Sequence, residues 1–380
     1  MNINCDVLII GGGPAGSTCA KHLVARGLSV VILDKSVFPR DKVCAGWITP
    51  AIIDMTEIDI AEYSVNRHCH PIYGFHTGLI DTKGYTNHYD HIVSYSIRRR
   101  EFDHYLLERC GAKTILGETA KTIHRDGDQW LVNGTIRASM LIGAGGYFCP
   151  VAKLLGANVG KSENAIRAQE IEFEMSEEQM EECQVQSEIP ELSFCNDLKG
   201  YGWCVRKGNV LNVGLGREDP HHLSEHVENF VDGLKAAKRI PQTTPSNFHG
   251  HAYLTYPQSP RKLVEDAVLL IGDSGGLAYA RSGEGIRTAI ESAIIAAEVV
   301  ASAEGNYSLD KLSSYGEKIL KRYGQKDYDK KPSIFSPIRH NIGKFILDNR
   351  FLSRQIVLDN WFLHSKQPPL EMKRMTNFHN

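Results

Sequence analysis

Residues 5–34 read CDVLIIGGGPAGSTCAKHLVARGLSVVILD, and this stretch decides the fold. An apolar run leads into a glycine turn, small residues follow at helical spacing, and a second apolar run closes on an acid. That order predicts strand, turn, helix and strand, the opening of an α/β fold of Rossmann type. Gly11 permits the tight reversal, Gly13 lets the backbone approach a pyrophosphate, and Gly16 lets the helix sit close on the strand. The helix N-terminus then presents free N–H groups to the phosphates. Asp34 stands where a carboxylate accepts hydrogen bonds from an adenosine ribose, which disfavours a 2′-phosphate. The ligand predicted is therefore FAD or NAD, with Pro14, Ala15 and Lys35 completing the contact set at this end.

A second segment separates the two ligands. Residues 267–298, AVLLIGDSGGLAYARSGEGIRTAIESAIIAAE, read as strand, loop and a long helix of small residues. Gly272 and Asp273 end the strand, where a carboxylate can bond a ribityl hydroxyl. Gly283 and Gly285 open the helix, with Ile286 following, and their N–H groups can face the pyrimidine edge of a flavin and stabilise the charge of the reduced ring. A domain that binds NAD alone has no use for such a segment, so FAD is the predicted cofactor.

Bulk properties bound the remainder. A chain of 380 residues exceeds one compact core and suits about two domains. With 42% hydrophobic and 23% charged residues the composition is that of a soluble globular protein, and a net charge of −2 argues against a nucleic-acid partner. The nine cysteines are scattered without a Cys-x-x-Cys pair, which predicts reduced thiols and a cytoplasmic setting. No secretory leader precedes Asp6, and no apolar run reaches the length of a bilayer span, although peripheral membrane contact stays open. The histidine pairs at 68 and 70, 221 and 222, and 249 and 251 lack zinc-site spacing, so they read as surface or loop residues and no metal is predicted.

Further stations along the chain carry a family resemblance. Residues 39–46 read PRDKVCAG, residues 97–107 IRRREFDHYLL, and residues 200–216 GYGWCVRKGNVLNVGLG. Together with the two segments above, and in this order, they resemble the flavoprotein superfamily of para-hydroxybenzoate hydroxylase. Within it the chain is most similar to the geranylgeranyl reductase branch, whose members saturate isoprenoid double bonds. The resemblance implies a Rossmann-type FAD-binding domain, discontinuous over about 1–60, 97–160 and 260–305. It implies an inserted mixed β-sheet substrate domain from 61–96 and 161–259, and a C-terminal helical region over 306–380. It places Arg99 beside the flavin, Cys44 at the flavin as a candidate proton donor, and Tyr201 and Trp203 on one face of a strand lining the substrate cavity. Lys42 reads either as solvated surface or as an aid to Cys44. The implied partners are an apolar small molecule and an external electron donor, NAD(P)H or a reduced carrier protein.

The departures qualify that reading. Gly145 stands where the superfamily has an acid, Ala152 where an arginine is common, Ala280 where a proline is frequent and Ala45 where a glycine is usual. Direct use of NADPH is thereby put in doubt. A flavin monooxygenase that reacts with dioxygen stays open as an alternative, as does a flavin-containing carrier without its own turnover. The Trp-x-Trp-x-Ile-Pro motif of halogenases is absent. Past residue 306, Leu309–Tyr323 is predicted helical, and Ile342, Phe345, Ile346 and Leu352 recur at helical intervals, facing a core, a partner or a membrane surface.

Overall fold

The computed structural model describes residues 2–160, 163–219, 221–326 and 336–370, and the side chains of 336–340 lie outside that description. Its first strand, Ile3–Ile10, pairs in parallel with Val30–Asp34 on one side and Ile136–Gly143 on the other. Helices cover both faces of such a sheet, so its strands read as continuous apolar runs, and Val7, Leu8 and Ile9 are fully buried. The full order is Val264–Glu265, Val268–Leu270, Ile136–Gly143, Ile3–Ile10, Val30–Asp34 and Lys113–Leu116, with Gln129–Val132 and Ile123–Asp126 paired beyond Ile136–Gly143.

The helix Pro14–Val24 springs from the glycine turn and packs on the helix Ile286–Ser302. Small residues make the close approach possible: Ala15, Cys19, Ala20, Ala289, Ala293, Ala296 and Ala297 are all buried. Leu309–Tyr323, helical as expected, covers the outer side of Ile286–Ser302.

A seven-stranded mixed sheet runs His249–Tyr253, Ile166–Glu174, Val210–Arg217, Gly200–Lys207, Glu191–Phe194, Gly74–Leu79 and Tyr85–His88. Glu191–Phe194 and Gly74–Leu79 pair in parallel and the other neighbours antiparallel. A three-stranded sheet of Trp47–Ile48, Ser94–Ile97 and Cys69–Ile72 bridges toward the first sheet.

The described C-terminal residues are largely helical, as expected, with a change of winding near the end. Helix Ser336–Leu347 is followed by the short turn Arg350–Leu352 and then by a π-helix, Ser353–Phe362. Tertiary contacts fix that wider winding, since Thr77 Oγ1 bonds Ser353 Oγ at 2.7 Å and Tyr89 Oη donates to Asp359 at 2.6 Å. The four apolar residues expected to share a face are divided: Ile342 and Phe345 are exposed, Ile346 and Leu352 half-buried. Among the described residues no helix is long and apolar enough to cross a membrane.

Candidate functional site

A cleft of about 540 Å³ opens where the C-terminal ends of the parallel strands meet the mixed sheet. Open α/β sheets bind their ligands at this position. One wall holds Gly11, Gly13, Pro14, Ala15, Asp34 and Lys35; the opposite end holds Cys44, Arg99, Asp273, Gly283, Gly285 and Ile286; Tyr201 and Trp203 face in from the mixed sheet. Two residues expected at the site stand behind its lining. A side chain on Gly16 would lie 1.9 Å from the Gly11 carbonyl oxygen, and one on Gly272 would press on Ala15 and Ala289. Both serve close packing.

At the turn, Gly11 has φ +115°, and a Cβ there would strike the Ala144 carbonyl at 2.4 Å. The Asp34 carboxylate accepts N–H bonds from Gly12 at 2.7 Å and from Ser36 at 2.8 Å, which fixes it at the rim of the cleft. The Arg40 guanidinium sits over Gly13, and its Nη1 is buried without a hydrogen-bond partner. Its Nη2 lies 3.1 Å from Asp103. Arg99, at the start of helix Arg99–Glu108, is almost fully buried and makes a bidentate pair with the same Asp103. Burial opposes the Asp103 charge, but Arg99 and Arg40 outweigh it and hold the carboxyl below its ordinary range.

At the other end, the Asp273 carboxylate lies 3.5 Å from His251 Nε2. Burial would raise its pKa, yet the bond to His251 and the charges of Lys42 and Arg99 bring it below the usual value. Burial and the neighbouring Lys42 push His251 down to about 4, so its ring is neutral near pH 7. Burial and Arg99 likewise push Lys42 down to about 8. His251 is thus a cleft residue on strand His249–Tyr253, against the expectation of a surface or loop histidine. His68 lies in a loop as expected, half-buried and bonded to Glu101 at 2.8 Å.

The Cys44 loop is held by the mixed sheet. Its N–H donates to Glu170 Oε2 at 2.8 Å and its carbonyl accepts from Asn212 Nδ2 at 3.2 Å. Burial pushes the Glu170 carboxyl up to about 8. Glu172, two residues along the same strand, stays low despite burial because Lys207 pairs with it at 2.7 Å. Tyr201 and Trp203 are neighbours, with ring centroids 6.1 Å apart, and Tyr201 Oη donates to the Ser282 carbonyl beside Gly283.

The family model described as FAD binding domain matches residues 4–325. The chain belongs to this family of FAD-binding flavoproteins. FAD is therefore the cofactor of this flavoprotein, a FAD-dependent oxidoreductase, and its place in the superfamily is the geranylgeranyl reductase branch. Digeranylgeranylglycerophospholipid reductase 1 of Methanosphaera stadtmanae is 30% identical over 339 residues, 83% of this chain and 80% of the relative. The digeranylgeranylglycerophospholipid reductase of Methanocaldococcus jannaschii is 29% identical over 84% of this chain and 81% of its own. Geranylgeranyl diphosphate reductase of Synechocystis is 27% identical, again over 84% and 81%. In fold, the flavoprotein superposes on a geranylgeranyl bacteriochlorophyll reductase-like protein of Thermoplasma acidophilum with a TM-score of 0.72 at 20% identity, covering 94% of this chain and 92% of that one.

Nothing in the sequence gives Arg40, Glu170 or Asn212 a role, and His251 stands out only as half of a close histidine pair. Arg40 is one of several basic residues between 35 and 42, and the other three lie inside strands. Charged side chains on strands that face a core are the one available signal, and the even spacing of Glu170 and Glu172 carries it.

Proposed function

We propose that this flavoprotein reduces a carbon–carbon double bond of an apolar, isoprenoid-like substrate at the Cys44 end of the cleft. The observation that carries the reading is the confluence there of one half-buried thiol, a wall of tyrosine and tryptophan, and the glycine turn ahead of helix Ile286–Ser302. The named reductase relatives support the same chemistry.

The residues present fit FAD. Gly13 leaves the turn open to the cleft, and the unpaired Nη1 of Arg40 beside it suits a pyrophosphate oxygen. Asp34 would hold the adenosine ribose and Asp273 the ribityl chain. The N–H groups from Gly283 to Ile286 would face the pyrimidine edge, with Arg99 close by. When bound and reduced, FAD supplies the hydride.

The chain's own residues do the rest. Tyr201 and Trp203 hold an apolar chain and exclude water from that end of the cleft. The Cys44 thiol lies near Lys42, Arg99, Tyr201 and Tyr253, where it holds the proton for the second carbon of the double bond. An external donor, NAD(P)H or a reduced carrier protein, renews the reducing equivalents. The exposed Ile342, Phe345 and Phe351 suit peripheral contact with a membrane that stores such a substrate.

Anaerobically reduced holoprotein tests the reading. It is offered a geranylgeranyl lipid without oxygen in one arm and the same lipid with air in the other. Reoxidation by the lipid with a saturated product supports the reductase, whereas oxygen appearing in an organic product supports a monooxygenase and overturns it.

A further inference from the structure

Both peptide groups flanking the Cys44 Cα are held by side chains of the mixed sheet. The N–H on one side donates to Glu170 and the carbonyl on the other accepts from Asn212. Asn212 sits in strand Val210–Arg217 and is fully buried. Its Oδ1 accepts from Trp203 Nε1 at 2.7 Å, and its Nδ2 also lies 3.1 Å from Glu172 Oε2. One amide therefore joins the thiol-bearing loop to the aromatic wall on which the substrate is proposed to rest.

From this geometry we infer that Asn212 is a positioning residue that sets the Cys44 loop in register with Trp203. The inference rests on the reading that Cys44 acts on a substrate lying against Trp203. An amide is the side chain of this size that both donates and accepts. Aspartate would lose the donor and add a third carboxylate beside Glu170 and Glu172. Leucine keeps the shape and loses every bond, leaving the Trp203 N–H and the Cys44 carbonyl to find partners in a region that water does not reach. The other groups facing this node are Lys207, paired with Glu172, and Arg98, whose Nε lies 3.1 Å from Glu172. Among the described residues neither hydrogen-bonds the Cys44 main chain, which the mixed sheet holds through Glu170 and Asn212.

The test combines two readouts on the flavin-loaded protein. Asn212→Leu is assayed for kcat and KM with a geranylgeranyl lipid, and iodoacetamide labelling of Cys44 is followed by peptide mass spectrometry across a pH series. Positioning predicts kcat lower by about ten- to a hundredfold with KM nearly unchanged, as for a reacting group displaced by about 1 Å. It also predicts an altered Cys44 labelling profile. Unchanged Cys44 labelling in a variant that retains FAD overturns the inference. Should Asn212→Leu fail to retain flavin, Asn212→Ser, which leaves room for a water, is read by the same two measurements and the same criterion. Full turnover in Cys44→Ser, with labelling still altered in the Asn212 variants, would sink the proton-donor reading while upholding the positioning.

Discussion

Arg99 and Asp103 form a buried bidentate pair, with Nε and Nη2 of the guanidinium 2.7 and 2.8 Å from the two carboxylate oxygens. The pair lies one helical turn apart, and Arg40 reaches the same carboxylate from the loop above the glycine turn. Two cationic residues that face the cleft are thereby held by one anion that never leaves the interior. Asp103→Asn leaves both without a counter-charge, a change that costs about 3 kcal/mol or more in comparable buried pairs. Urea unfolding of the apoprotein should show that loss, and FAD titration should show weaker binding. Unaltered unfolding would mean that the pair contributes nothing to stability.

Gly13 separates folding from cofactor binding. Its φ of −72° is open to any residue, and a Cβ there meets only the Arg40 guanidinium at 3.3 Å. Gly13→Ala should unfold within ~1 kcal/mol of wild type yet bind FAD about tenfold more weakly, because the methyl occupies the space where the backbone meets the pyrophosphate. Gly16→Ala, by contrast, should destabilise the fold itself, since its Cβ would fall 1.9 Å from the Gly11 oxygen. Equal stability losses in the two variants would contradict this division.

Glu170 imposes a pH dependence whose sign is fixed by burial. Its carboxyl titrates at about 8 in the folded protein against 4.5 when unperturbed. A raised pKa contributes stability that is fully present below 4.5 and is lost as pH rises through about 8. Glu170→Gln keeps an acceptor for the Cys44 N–H and removes the titration. The variant should match wild type near pH 4.5 and exceed it at pH 8 and above, by a margin on the order of 3 kcal/mol. Parallel stability curves across that range would show that the carboxyl ionises normally.

Cys44→Ser should retain FAD, because the sulfur is not among the groups proposed to hold the cofactor, and should turn over about a hundredfold more slowly if the thiol delivers the proton. Steady-state rates together with the visible flavin spectrum check both halves. A variant as fast as wild type removes Cys44 from the chemistry.

The turn at Gly11–Gly16 was legible because its meaning is carried by backbone: a tight reversal, an open face and a close helix leave glycine as the residue that fits. The same holds for Gly283, where φ is +69° and a Cβ would meet Tyr253 Oη at 2.1 Å. Tyr201 and Trp203 were legible as a pair through strand alternation. Arg40, His251 and Asn212 were not, since only the tertiary fold gives them their partners: a loop meeting a helix brings Arg40 to Asp103, and the mixed sheet meeting the Rossmann-type sheet and the Cys44 loop brings His251 to Asp273 and Asn212 to Cys44. The π-helical winding of Ser353–Phe362 was hidden for a related reason, its anchors Thr77 and Tyr89 lying on or beside the strands of a sheet far earlier in the chain.

Reductase chemistry is tested most directly by a single turnover under strict anaerobiosis, with the holoprotein fully reduced, mixed with a geranylgeranyl lipid and followed at once by flavin absorbance and product mass. Double-bond reduction predicts one saturated bond, a gain of two hydrogens, for each flavin reoxidised. A flavin that stays reduced beside bound, unaltered lipid, or that reoxidises only when air is admitted and then yields oxygenated product, would contradict it.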